Sequence, residues 1–174
     1  MYQPTDVRIV EFPATKVAAI EHVGSPSREH DTARTLIAWK ISQRLLDPVR
    51  FRSYGVHYTD PRTTPEAEHR VDVCLSIEND VAANEFGIVT KIIPANRCAL
   101  LRDVGSRYDN KAARYLGETW LPLSGERVGT FPLFFHYVNV GPNVREDEML
   151  TDVYLPLARP GQESACGTCD MYDT

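Results

Sequence analysis

The cysteines of this sequence offer the first possible chemistry. Cys166 and Cys169 form a Cys-x-x-Cys pair near the C-terminus, a spacing found in zinc sites and in redox-active thiols. A redox pair needs a helix N-terminus to lower the thiol pKa, and a zinc site needs two further ligands. Cys74 and Cys98 fall in predicted buried strands, so we interpret the pair as part of a plain tail. A metal shared between two chains stays open as the alternative.

The histidines and hydroxyl residues indicate no known catalytic arrangement. The sequence has 5 histidines, none spaced as i, i+4 helix ligands and none beside a cysteine pair. It has no Ser-His-Asp order, phosphate loop or glycine-rich fingerprint. We therefore predict no catalytic residue, no metal site and no cofactor, and we favour a binding protein over an enzyme.

Composition narrows the class of protein. The chain has 174 residues, 43% hydrophobic and 25% charged, with a formal net charge of −5. The acidic balance argues against direct nucleic-acid binding, which needs a basic face. The apolar runs are too short to span a membrane, and the N-terminus lacks the features of a secretory signal. We predict a cytoplasmic protein with reduced thiols and no membrane partner.

The elements that must position any site come from an internal repeat. Four separate segments match in the same order at offsets of 79 to 81 residues. The matching pairs are 12–25 with 93–106, Trp39 with Trp120, His57-Tyr58 with His136-Tyr137, and 71–75 with 151–155. Because chance would rarely produce all four in order, we interpret the chain as two copies of one unit.

Each copy is predicted to fold as β-β-α-β-β. The first helix is expected over 31–46, where Ile37, Ile41 and Leu45 recur every fourth residue on one apolar face, with Ala33 in phase and Leu36 beside them. The second is expected over 110–120, with Asp109 as N-cap and with Pro122 unable to continue it. Its buried stripe is predicted to comprise Ala112, Leu116 and Trp120.

The repeat predicts the fold class and the domain limits. Consecutive strands imply hairpins, so we expect an α+β fold of two small antiparallel sheets, with both helices packed on one side. A pseudo-two-fold axis would relate the halves and leave a central cleft, a favoured place for ligands. We place a single domain at 1–158, with repeats at about 6–80 and 86–158, and a tail at 159–174.

Six segments in this order resemble the GyrI-like small-molecule-binding domain. This family is named for the DNA gyrase inhibitory protein and also supplies the effector-binding half of some AraC-type and MerR-type regulators. The resemblance covers about residues 5 to 158 and lies in 17–24 (VAAIEHVG), 55–61 (GVHYTDP), 70–74 (RVDVC), 104–108 (VGSRY), 120–125 (WLPLSG) and 151–157 (TDVYLPL).

The resemblance implies a pocket between the halves, lined by aromatic residues and often holding a buried carboxylate that suits lipophilic cations. Relatives commonly carry Pro-x-Phe-Glu-x-Tyr in the seventh strand, whereas this chain has Phe135 where the glutamate is expected. A phenylalanine has no charge and moves no proton. Glu21 and Glu118 are the candidates for a substitute acid, and a neutral apolar or aromatic ligand is the alternative.

We predict a ligand site near the cleft and name its residues. They are Trp39, Tyr58, Tyr108, Trp120, Phe135, Tyr137 and Glu21, with filling of two cores as the other interpretation of the aromatics. His57 and His136, equivalent in the repeat, would face each other across the axis or face solvent, and we favour solvent. Asp72 and Asp152 are interpreted as structural, with Arg70 near Asp72.

The predicted function is binding of a small organic molecule: apolar, aromatic or cationic. Inhibition of DNA gyrase, or interaction with another protein, is the second hypothesis, and hydrolysis of strained small molecules is the third. We predict no helix-turn-helix region, so the chain is not expected to bind DNA by itself. The residues leave open whether the protein senses, sequesters or hydrolyses its ligand, and they leave open its oligomeric state.

Overall fold

The computed structural model describes residues 1–107 and 110–161, and its helices and strands follow the repeat in order. Cys166 and Cys169, together with Tyr108 and Asp109, lie outside these described residues. The first repeat contains β1 (Arg8–Phe12), β2 (Thr15–Val23), α1 (Glu29–Ser42), β3 (Ser53–His57) and β4 (Arg70–Ser76). The second contains β5 (Val89–Ile93), β6 (Asn96–Val104), α2 (Lys111–Arg114), a π-helical stretch (Tyr115–Trp120), α3 (Leu121–Ser124), β7 (Phe134–Tyr137) and β8 (Leu150–Pro156).

Strand pairing joins both repeats into one sheet. Within the described ranges eight strands lie in the order β1-β6-β8-β7-β3-β4-β2-β5, and every neighbouring pair is antiparallel. The repeats exchange their first strands, since β1 pairs with β6 and β5 pairs with β2. The predicted α+β class with antiparallel pairing is confirmed. The two small sheets that we expected are continuous, because the central strands β3 and β7 also pair with each other.

The sheet must curl so that its two edges approach each other. β1 is one edge strand and β2 lies beside the opposite edge, yet only Pro13 and Ala14 separate them along the chain. A two-residue link spans at most roughly 10 Å, so the edges cannot lie far apart. Phe12 on β1 accordingly contacts the rings of Phe134 and Tyr154 across the inner face. The curl gives the sheet a closed aromatic inner face and an outer face that carries the helices.

Helix α1 buries a different stripe from the one predicted. Leu36 and Trp39 are buried against the outer face, whereas Ile37 and Ile41 are more than half exposed. The prediction is therefore wrong for Ile37 and Ile41, whereas Leu45 packs against the core under α1 as expected. The two isoleucines, four residues apart, lie beside the stripe that contacts the sheet. Tertiary packing places the larger Trp39 in the core instead.

The second helix runs past Pro122 and ends at Ser124, four residues beyond its predicted end. A π-helical turn precedes the proline, and the Leu121 N–H bonds to the Leu116 carbonyl, five residues back. A proline lacks a backbone N–H and interrupts the hydrogen bonds of an α-helix. The wider turn has already shifted those bonds before Pro122, so the helix can continue through it. Asn110 provides the N-terminal cap, with its side chain accepting from the Ala113 N–H. Gly125, in the left-handed region at φ 73°, ends the helix.

The pseudo-two-fold axis passes through the pair of Gly55 and Phe135. Gly55 opposes Val73 in β4, and Phe135 opposes Val153 in β8, so these positions are equivalent in the two repeats. His57 therefore corresponds to Tyr137, and the equivalence of His57 with His136 was wrong by one residue. Because alternate strand residues face opposite sides, that one-residue difference puts His57 on the outer face and His136 on the inner face.

The two repeated aspartates form buried ion pairs on the inner face. Asp72 is 1% exposed and accepts hydrogen bonds from Lys91 Nζ at 2.6 Å and from the Tyr58 hydroxyl at 2.8 Å. Asp152 forms a two-pronged pair with Arg102 at 2.6 and 2.9 Å. Lys91 comes from β5, two strands away from Asp72, whereas Arg102 comes from β6 beside Asp152, so both aspartates tie different strands of the sheet together.

Asp152 makes stability depend on pH in the acid range. Burial alone would raise the pKa of this carboxyl, but the His136 imidazole at 3.9 Å and the hydrogen-bonded Arg102 outweigh it and lower the pKa from 3.8 to about 2. A depressed pKa stabilises the folded state above pH 4, and this contribution is lost as the pH falls from about 4 to 2. We expect wild type to lose about 2 kcal/mol more unfolding free energy than Asp152→Asn between pH 5 and 2.

Urea unfolding at a series of pH values measures this difference. Asp147→Asn is the matched control, since Asp147 also pairs with an arginine but is 65% exposed. Identical pH dependence in wild type and Asp152→Asn would contradict the prediction.

Candidate functional site

A cavity of about 580 Å³ lies between the two repeats on the outer face of the sheet. Both halves line it, the first through the start of α1 and the loop after β3, the second through α2 and the entry to β7. The lining residues are Pro26, Glu29, His57, Tyr58, Thr59, Asp60, Pro61, Arg62, Arg107, Asn110, Ala113, Arg114, Gly117, Leu133 and Phe135. Its volume suits a drug-sized organic molecule. We call this cavity the cleft.

The floor of the cleft is aromatic and lies beside the pseudo-two-fold axis. The rings of His57 and Phe135 are 4.2 Å apart between centroids, and Phe135 is 6% exposed. Gly55 makes this packing possible, because a Cβ there would lie 2.5 Å from the Tyr137 hydroxyl and 3.2 Å from His57 Nε2. The floor thus places two aromatic rings, tilted by 44° to each other, beside the cavity.

His57 presents a neutral imidazole with an unused hydrogen-bonding atom. Burial, and secondarily the charge of His69, lowers the pKa of His57 from 6.5 to about 4. Its Nε2 is buried and has no hydrogen-bond partner among the described residues. A buried polar atom without a partner costs free energy, which a ligand atom in the cleft can recover.

A carboxylate reaches the cleft from helix α1. Glu29, the first residue of that helix, accepts a hydrogen bond at 2.7 Å from Nε2 of His69, which is fully buried. Because a carboxylate only accepts, Nε2 of His69 must carry a proton, and Nδ1 of the same ring lies 3.0 Å from the Thr59 hydroxyl. Glu29 is 28% exposed, so its negative charge is held at the cleft wall.

The negative charge of Glu29 also affects Tyr137, which lies below the floor of the cleft. Tyr137 has a raised pKa, chiefly because of burial and next because of Glu29. The Arg107 guanidinium lies over the Tyr137 ring at 5.0 Å and donates to the Asn139 carbonyl at 2.6 Å. The tyrosine therefore lies between a negative group of the first repeat and a positive group of the second.

The opposite wall begins at the cap of α2. Asn110 uses its side-chain oxygen to cap the helix, which leaves its Nδ2 group buried and without a partner in the described part of the chain. This amide donor lines the same cleft as His57 Nε2. The cleft thus combines the unsatisfied polar atoms of His57 and Asn110 and the carboxylate of Glu29 with apolar surface, an arrangement typical of ligand sites.

An exposed ion-pair network spans the rim of the cleft between the repeats. Arg62 donates to Asp60 at 2.8 Å within its own loop and to Glu118 at 2.8 Å on the second helix. The hydrogen bond from Arg62 lowers the pKa of Asp60. All three side chains are 40 to 56% exposed, so the network contributes little to stability. Glu118 therefore pairs at the rim and is not part of the cavity lining.

Two predicted site residues line the cleft, and a third lies just below. Phe135 forms the floor, and Tyr58 lies at the edge while its hydroxyl donates to Asp72. Tyr137 packs against the core beneath α2, with its hydroxyl beside Gly55. These three residues are brought together by the pairing of β3 with β7.

The other predicted residues lie elsewhere. Trp39 is buried in the core under α1, and Trp120 packs against the core under α2. Glu21 pairs with Arg70 at 2.7 Å and does not line the cleft. Tyr108 lies outside the described residues.

Sequence reasoning missed Glu29, His69 and Asn110, and it did not place His57 in the site. Glu29 stands at the start of a helix and His69 immediately before a strand, positions that are usually assigned to capping or solvent. They are 40 residues apart along the chain, and only the fold brings their side chains into contact. Of these residues, only His57 could have been identified from the sequence, by following the alternation of side chains along β3 in the correct register.

Neither a metal-binding cluster nor a membrane-spanning helix is observed in the described ranges. Among residues 1–107 and 110–161, no group of three or more His, Cys, Asp or Glu side chains is arranged to hold a metal ion. Over the same ranges, no helix has the length and apolarity needed to cross a membrane.

Comparison with known proteins identifies the family. The family model described as GyrI-like small molecule binding domain matches residues 5–158. The chain is 33% identical over 154 residues to the probable transcriptional regulator YgiV of Escherichia coli K12, covering 88% of this chain and 96% of YgiV. It is 27% identical over 158 residues to the DNA gyrase inhibitor of Erwinia billingiae, covering 88% and 98% respectively.

A solved structure shares the fold. The EcmrR C-terminal domain superposes with a TM-score of 0.68 at 15% identity, covering 88% of this chain and 98% of that domain. At this identity the likeness concerns the fold alone.

Proposed function

The chain belongs to the GyrI-like small-molecule-binding domain family, and on that premise we propose that it binds a small organic molecule in the cleft between its repeats. The observation that carries the proposal is the cleft itself, where the Glu29 carboxylate and the buried His57 Nε2, which has no partner among the described residues, lie in one cavity with Phe135. Phe135, Tyr58 and Tyr137 are the aromatic residues that we assign to this site.

We further propose that the ligand has a flat apolar body and one cationic or hydrogen-donating group. The body would lie on the ring faces of His57 and Phe135. The polar group would meet Glu29, whose charge takes the place of the glutamate missing at Phe135 but comes from a helix in the other repeat. Opposite charges at close range in a partly buried cleft attract more strongly than in water.

The test compares a cation with its neutral isostere. We expect (naphthylmethyl)trimethylammonium to raise the melting temperature and to bind more tightly than the isostere with carbon in place of nitrogen. Glu29→Gln should weaken binding of the cation about tenfold and leave binding of the neutral compound unchanged. Isothermal titration calorimetry measures both affinities.

Glu21→Gln is the matched control, because Glu21 is also paired but does not line the cleft. It should bind the cation as wild type does. If neither compound bound, or if the Glu29 and Glu21 variants bound the cation equally, the proposal would be wrong.

A second candidate function is inhibition of DNA gyrase or regulation through a partner protein. It is supported by the names of the two relatives and by the net charge of −5, which suits a partner with a basic surface. A supercoiling assay tests it: added protein should reduce gyrase activity, and no effect at large molar excess would exclude it.

The hydrolase hypothesis requires an acid beside Trp120 in the cleft. Glu29 lines the cleft, but Trp120 packs elsewhere, so the described residues give that hypothesis no support.

A further inference from the structure

At one pair of equivalent positions the two repeats place a phenylalanine on different faces of the sheet. Since Gly55 is equivalent to Phe135, Phe51 is equivalent to Phe131. Phe131 packs onto the inner face, 6.0 Å from the Phe134 ring. Phe51 instead packs under α1 on the outer face. The inner face thus carries a phenylalanine ring from this position in the second repeat but not in the first.

A second cavity of about 460 Å³ lies on this side of the first repeat. Its apolar wall includes Phe12 and Leu100, and its polar wall includes Arg52, Tyr54 and Tyr154. It shares no lining residue with the cleft. The cavity is therefore a separate space with ring faces on one side and hydrogen-bond donors on the other.

Arg52 supplies a positive charge that no carboxylate neutralises within the described residues. Its Nε donates to the Val49 carbonyl at 3.3 Å, and it forms no ion pair in that part of the chain. The other charged side chains of the lining are compensated, since Arg50 pairs with Glu78 and Glu11 pairs with Arg159. An arginine fork presented to a cavity in this way is suited to a carboxylate.

Tyr54 and Tyr154 line the same cavity as this guanidinium. Burial raises the pKa of Tyr54, and the charge of Arg52 and its hydrogen bond oppose that rise. Burial also raises the pKa of Tyr154 to about 12, again opposed by Arg52. Both phenols stay protonated at neutral pH and can donate hydrogen bonds to an anion beside Arg52.

We propose that this second cavity binds an aromatic carboxylic acid. The ring would lie against Phe12, where the other repeat holds Phe131, and the carboxylate would receive hydrogen bonds from Arg52 and the hydroxyls of Tyr54 and Tyr154. The site is independent of the cleft and of its cationic preference, so either proposal can fail without the other.

Calorimetric titration of the full chain with 2-naphthoate tests the site. We expect saturable binding of the acid and much weaker binding of neutral 2-naphthamide. Arg52→Gln should weaken binding of the acid roughly 10- to 100-fold, since it removes charge-assisted hydrogen bonds. The substitution lies on an exposed side chain, so the variant should fold normally.

Arg145→Gln is the charge-matched control, because Arg145 lines neither cavity, and it should bind the acid as wild type does. Saturating (naphthylmethyl)trimethylammonium should not displace the acid. The proposal is overturned by absence of saturable binding up to millimolar acid, by equal affinities of the two arginine variants, or by displacement by the ammonium compound, which would place the acid in the cleft.

Discussion

Replacing His69 with leucine is expected to lower the free energy of unfolding by about 3 kcal/mol and to weaken binding of the cationic probe in the cleft. His69 is fully buried and holds Glu29 at 2.7 Å and Thr59 at 3.0 Å. Leucine fills similar space but removes both hydrogen bonds, one of them to the carboxylate of Glu29. The freed carboxylate can then turn toward solvent.

His69 acts as a positioning residue, and a purely structural role would give a different result. Unfolding in urea measures stability, and calorimetry compares the ammonium probe with its neutral isostere. If His69 only stabilised the fold, the folded variant would lose affinity for both compounds equally. A selective loss for the cation indicates that Glu29 has moved.

Two variants control this prediction. His69→Gln retains an amide that can reach Glu29, so it should recover part of the affinity for the cation. His30→Leu removes a histidine that is 49% exposed on the same helix as Glu29, and it should change stability by less than about 1 kcal/mol. If His69→Leu bound the cation as tightly as wild type, His69 would have no role in placing Glu29.

Replacing Phe134 with alanine is expected to lower the free energy of unfolding by about 3 to 5 kcal/mol. Phe134 is 0% exposed at the centre of the inner face. Its ring stacks on Tyr154 at 4.9 Å and meets Phe12 edge-on at 4.8 Å. Alanine would leave a void that the rigid closed sheet could fill only partly, which is why the loss should lie at the high end for a single residue.

Chemical unfolding measures the loss, and Phe134→Leu extends the test if the alanine variant does not fold. Leucine should cost less than alanine, because it fills part of the void. Phe86→Ala is the control: this ring is 39% exposed, and its loss should cost about 1 kcal/mol or less. A cost below about 1 kcal/mol for Phe134→Ala would mean that the edges of the sheet do not close over an aromatic core.

The repeat made most of the fold predictable. Duplicated segments such as 12–25 and 93–106 established the order β-β-α-β-β and the presence of an axis, because both copies carry the same turn and strand patterns. The exchange of β1 and β5 could not be predicted in this way. Strand order depends on which edges meet in space, and the short links at Pro13-Ala14 and Pro94-Ala95 carry no information about that partner.

The predicted positions were wrong where a shift of one residue in strand register, or the choice of helix face, decides which side chains are buried. The alignment of His57 with His136 assigned both to equivalent positions, whereas the true equivalent of His57 is Tyr137. The spacing of Ile37 and Ile41 predicted a buried face that is exposed. Periodicity gives the kind of element reliably, but its orientation depends on contacts with the rest of the chain.

The sequence by itself determined the duplication, the α+β class, the family resemblance and the loss of the strand glutamate at Phe135. These are properties of residue type and order, which need no knowledge of contacts. Only the tertiary structure decided that a carboxylate still reaches the cleft, from Glu29 held by His69. Glu29 and His69 are 40 residues apart and meet because α1 packs beside the start of β4. A charge placed by long-range packing leaves no local pattern in the chain.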